Sequence, residues 1–167
     1  NEDAIIKKYV SELVANIAGN DIELSALCIK NYRLFLGNPS EQIKTITNEE
    51  VRSGGTDFIY KKDFNEIEHL IWLAQIKTIY PFIEEYREDF VKKYSVDISK
   101  KLPIEASYGE VYSDPKDVEL GTLVYMAGCG DLVLNGKEYE KLKKFKDARN
   151  KLSHLSTLNI EEINELL

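Results

Sequence analysis

Apolar residues recur along most of the chain at three- and four-residue steps, the period of an amphipathic helix. Ile5, Ile6, Tyr9, Val10, Leu13, Val14 and Ile17 lay out a first helix, and Gly19-Asn20 supplies its stop. Asp21 has the chemistry of an N-cap for a second helix, dominated by Leu24, Leu27, Ile29, Tyr32, Leu34, Phe35 and Leu36 and broken by Gly37-Asn38-Pro39. These two are expected to pair as a helical hairpin. Signals weaken over residues 38–62, where a short helix after Ser40 and an exposed turn at Ser53-Gly54-Gly55-Thr56 can be read. Asp63 with Glu66 forms a capping-box pattern for the longest helical run, which continues toward Tyr94 and which Pro81 is expected to kink or split. Residues 95–115 read as a loop with two prolines. Asp117 then opens a helix through Leu120, Leu123, Val124 and Ala127 that Gly128 and Gly130 end. A short extended piece over residues 132–134 meets Asn135-Gly136. The last long helix runs from about Glu138 to His154, and Asn159 caps a final short one over residues 160–167. No strand run is long enough for a sheet. The expected fold class is all-α, a mainly antiparallel bundle of about five to six helices with irregular connecting loops.

Composition narrows the function classes. The 167 residues are 43% hydrophobic and 31% charged with a net charge of −7, which predicts one globular domain over residues 1–167. The start at Asn1 and the lone Met126 predict that it is cut from a longer multidomain protein. Cys28 and Cys129 stand far apart and in no C-x-x-C pair, so neither a disulfide framework nor a zinc cage is indicated. The longest stretch without a charged side chain, residues 120–130, falls far short of the ~20 apolar residues of a membrane helix. No membrane contact and a cytoplasmic location are expected. Whole-chain acidity argues against a surface given over entirely to nucleic acid, leaving only a local basic patch for that purpose.

Several candidate sites lose to plainer readings. Glu66 and His69 have the E-x-x-H spacing of a dinuclear metal bundle, but the second copy that such a site needs is missing, because Lys151 stands where a glutamate should precede His154. Residues 130–137 resemble a phosphate loop only loosely, with the glycines one residue too far apart and Glu138 in place of a magnesium-binding Ser or Thr. Trp72 and the ten tyrosines read as bundle filling, and the two cysteines as buried thiols.

The last long helix differs. At ~100° per residue with Asp147 at zero, Asn150 falls at about 300° and His154 at about 340°, sharing one polar face. Leu142, Phe145, Ala148, Leu152 and Leu155 occupy the opposite stripe, and Arg149 flanks it at about 200°. From Lys137 to His154 there are seven Lys and Arg against three acidic residues, locally +4, which leaves −11 for the rest of the chain. Lys143, Lys146 and Lys151 are the candidate RNA-binding cations of this stripe.

The segment Phe145-Lys146-Asp147-Ala148-Arg149-Asn150-Lys151-Leu152-Ser153-His154, followed by a short break and a capped helix, resembles the R-x(4–6)-H signature of HEPN domains in its R-N-x-x-x-H form. The resemblance covers about the last 30 residues. It implies a small helical bundle, often dimeric, and a metal-independent endoribonuclease of toxin–antitoxin or antiphage-defence systems. It also implies a product with a 2′,3′-cyclic phosphate. Cleavage of this kind needs a base for the 2′-hydroxyl, an acid for the 5′-oxygen and a positive clamp on the phosphoryl group. His154 would be the acid/base residue and Arg149 the clamp, with Asn150 as an orienting partner and Asp147 as possible support for the imidazole tautomer. One motif histidine per chain predicts a homodimer whose cleft takes His154 from both copies. The expected partners are RNA, a second copy and an antitoxin or sensor domain, with no cofactor. The competing reading is a catalytically inactive HEPN-like module for dimerisation, protein or nucleotide binding. Exposure separates the two: the functional reading needs His154 and Arg149 on an accessible positive surface, the structural one needs them buried against acidic partners.

Overall fold

The computed structural model describes residues 2–105 and 109–167. Eight helices dominate these residues: α1 Glu2–Ala18, α2 Ile22–Lys30, α3 Tyr32–Gly37, α4 Pro39–Glu49, α5 Phe64–Ser99, α6 Leu120–Gly128, α7 Gly136–Ser153 and α8 Ile160–Leu166. The strands among the described residues are β1 Ile104–Glu105 and β2 Val111–Tyr112, an antiparallel pair with Ile104 opposite Tyr112. The all-α class expected from periodicity is therefore the observed one. Contacts gather the chain into two compact units, one built from the residues up to Tyr80 with Lys151–Glu165, the other from Pro81–Asn150.

In the first unit, α1 stops where Gly19 takes the left-handed φ of +59°. Asp21 caps α2, accepting from the Leu24 amide at 3.1 Å. The expected second helix divides in two at Asn31, whose φ of −113° and ψ of 34° leave the helical range. Asparagine is poorly held inside a helix because its amide competes for backbone partners. Pro39, expected to act as a breaker, instead occupies the first position of α4, where its missing N–H costs nothing, and Asn38 caps that helix through the Glu41 amide at 3.1 Å. The Ser53–Thr56 turn is tight: the Gly55 amide bonds Arg52 O at 2.8 Å, and Val51 bridges Asp57. Asp63 and Glu66 form the expected capping box of α5, at 2.9 and 2.8 Å. Leu13, Ile17, Phe35, Ile43, Ile67, Ala74 and Leu152 supply the apolar interior. Gln75 is buried among them, with its Nε2 donating to Tyr9 Oη at 3.0 Å and Leu158 O at 2.8 Å, while its Oε1 accepts from the Leu158 amide at 2.8 Å.

In the second unit, α5 continues from Pro81. Pro81 does not split the helix, one of the two outcomes expected of it: the one departure from helical dihedrals is at Tyr94, with φ −106° and ψ 15°. Pro81 removes a single backbone donor, and burial of apolar residues such as Ile83 and Val91 outweighs that loss. The helix reaches Ser99, so the loop expected over 95–115 is shortened to the β1–β2 ribbon and a 3-10 turn at Pro115–Asp117; its residues 106–108 lie outside the described residues. Glu119, not Asp117, precedes α6. Tyr86 stacks on Phe145 with ring centroids 3.7 Å apart at 17°, a pair that joins α7 to α5, and Leu142 and Ala148 of α7 are buried too.

Candidate functional site

Asn135 starts α7 by accepting from the Glu138 amide at 2.9 Å, and Glu138 in return accepts from the Asn135 side chain at 2.7 Å. The helix therefore begins two residues before the expected start. Its buried stripe is the expected one for Leu142, Phe145, Ala148 and Leu152, but not for Leu155, which is 71% exposed. The reason is the helix end. The Leu155 amide bonds Leu152 O at 3.3 Å and the Ser156 amide bonds Lys151 O at 2.9 Å, while Leu155 adopts φ +59°. This is a Schellman termination with a leucine at the position that glycine usually fills. The helical wheel ceases to apply after Ser153.

His154 is the residue at which α7 stops, its amide reaching Lys151 O at 3.1 Å. Its imidazole is exposed and has no hydrogen-bond partner among the described residues. Asn150 and Asp147 are exposed as well. Asp147 Oδ1 pairs with Lys146 Nζ at 2.7 Å. Arg149 is half-buried: Nη2 donates to Glu119 Oε2 at 2.8 Å, and Nε is buried with no partner among the described residues. The basic stripe is matched by acids at close range, since Lys143 meets Glu140 at 3.2 Å and Lys151 meets Glu162. Lys141 lies over the Tyr86 and Phe145 rings, 5.9 and 5.6 Å from their centroids.

Sequence reasoning passed over a groove beside the end of α7. It is an open cavity of about 430 Å³ lined by Glu68, His69 and Trp72 of α5 and by Leu155 and Thr157 of the segment that follows α7. His69 stacks on Trp72, centroids 5.6 Å apart at 21°, and Trp72 Nε1 donates to Leu152 O at 2.8 Å, which fixes the indole. Thr157 Oγ1 donates to Glu68 Oε2 at 3.2 Å. Glu66, the other half of the E-x-x-H pattern, spends its carboxylate on the helix cap. The signal available in the sequence was that Asn65, Glu68, His69 and Trp72 share one face of α5 within ~100°. Comparison of the chain with protein-family models, with characterised proteins and with solved structures gives no match in any of the three.

Proposed function

We propose that this chain is the endoribonuclease domain of a toxin or antiphage-defence protein, cleaving RNA without a metal ion. The observation that carries the reading is the exposed, unpartnered imidazole of His154 at the end of α7, in the R-N-x-x-x-H spacing. His154 removes the 2′-hydroxyl proton, O2′ attacks phosphorus and the P–O5′ bond breaks. A second His154, from another copy of the chain, returns a proton to O5′, leaving a 2′,3′-cyclic phosphate. Arg149 clamps the phosphoryl oxygens and Asn150 orients the substrate.

One observation favours a second reading, a catalytically inactive HEPN-like module for dimerisation, protein or nucleotide binding. Arg149 already has an acid partner in Glu119 and a buried Nε, which is the arrangement of a structural arginine. Labelled single-stranded RNA incubated with the domain in EDTA decides between them. Cleavage that falls by a factor on the order of 10²–10⁴ in His154→Ala, and is also lost in Arg149→Ala, supports the ribonuclease. Mixing an excess of His154→Ala chains into the unaltered domain tests the shared cleft further, because mixed dimers carry a single His154 and cleavage should fall by more than dilution alone. Binding without cleavage, in a folded dimer, supports the inactive module.

A further inference from the structure

We propose that the groove of Glu68, His69, Trp72, Leu155 and Thr157 is a nucleobase subsite that selects guanine, built in part on the segment that follows His154. The inference rests on the reading of RNA as substrate. A cavity of about 430 Å³ is ample for one base and small for a protein anchor. Its aromatic wall is preformed: the exposed His69 ring is backed by Trp72, which is itself held by its N–H to Leu152 O at 2.8 Å. Parallel aromatic faces of this kind are what unstacked bases use, at any sequence. Glu68 supplies the selection. Thr157 holds Oε2, and Oε1 has no partner among the described residues. A carboxylate only accepts, so it repels phosphate and bases that present acceptors beside their donors, whereas the N1–H and N2–H₂ edge of guanine offers two adjacent donors. Leu155 forms the apolar rim, one residue beyond His154, and is held exposed by a left-handed backbone that costs leucine free energy.

Trp72 is the one tryptophan of the chain, so its emission reports this groove directly. The test titrates the full chain with 5′-GMP, 5′-AMP, 5′-CMP and 5′-UMP while following Trp72 fluorescence. Saturable quenching by GMP at a Kd at least about fivefold below the other three is expected. Glu68→Gln should remove that preference and His69→Ala should weaken all four, both with unchanged circular dichroism. No quenching by any nucleotide overturns the proposal, as does equal quenching by all four that Glu68→Gln leaves unaltered. The cleavage assay in EDTA is independent of this readout. RNA cleaved without GMP quenching removes the groove and keeps the ribonuclease; quenching without cleavage does the reverse.

Discussion

Leu155 and His154 show how much a single backbone position decides. An L-residue at φ near +60° brings its Cβ toward the following carbonyl, and glycine avoids that penalty. Leucine here gains little in return, since its side chain is 71% exposed. Replacing Leu155 by Gly should therefore stabilise the fold by about 0.5–1 kcal/mol, raising the midpoint of urea unfolding and raising the melting temperature by roughly 1–4 °C. A loss of stability in that variant would mean that contacts of the leucine side chain exceed the backbone strain. Such strain persists where surrounding structure or function demands it, and the residue beside it is the exposed His154.

At the scale of elements, the sequence reveals what repeats and hides what happens once. The buried stripe of α7 was legible because Leu142, Phe145, Ala148 and Leu152 follow the helical period; its end was not, because a Schellman turn without glycine leaves no compositional mark. The capping residues Asp21, Asp63 and Asn159 were likewise legible, each a short polar side chain just before an apolar run. Pro39 reads as a breaker yet starts α4, because proline serves at both places, and Asn31 splits the second helix without any mark in the apolar pattern that runs through it. The groove was hidden for a different reason: Glu68, His69 and Trp72 look like an ordinary polar edge of α5 until residues 155–157 are folded across from them. Gln75 was invisible among its apolar neighbours. It satisfies both backbone groups of Leu158 and so fixes the segment between α7 and α8. Truncating it to Ala leaves those groups buried and unpaired, an expected loss of about 2–4 kcal/mol in urea unfolding. Amide exchange at Leu158 should accelerate in the same variant; an unchanged rate would show that other contacts hold the segment.

For the whole chain, the contacts gather into two units whose boundaries fall inside α5 and α7 rather than in a Gly- or Ser-rich linker. No linker signal exists there for a sequence reading to find. Both units share a chemical vulnerability: burial pushes the phenols of Tyr9 and Tyr60 in the first unit and of Tyr86 in the second up to about 12. In the unfolded chain these groups lose their protons near pH 10. Between pH 10 and 12 the unfolded state therefore binds fewer protons than the folded one, and stability falls as pH rises through that window. Tyr9, 2% exposed, contributes most clearly, on the order of 2–3 kcal/mol lost by pH 12. Tyr9→Phe should cost about 1 kcal/mol at pH 8, where Gln75 Nε2 loses one acceptor, but it removes the alkaline penalty. Urea unfolding of both proteins at pH 8 and pH 11 should thus show the variant's deficit shrinking or reversing at the higher pH. A deficit of the same size at both values would mean that the Tyr9 phenol reaches solvent as its proton leaves, and that burial in the first unit is not what holds the proton on.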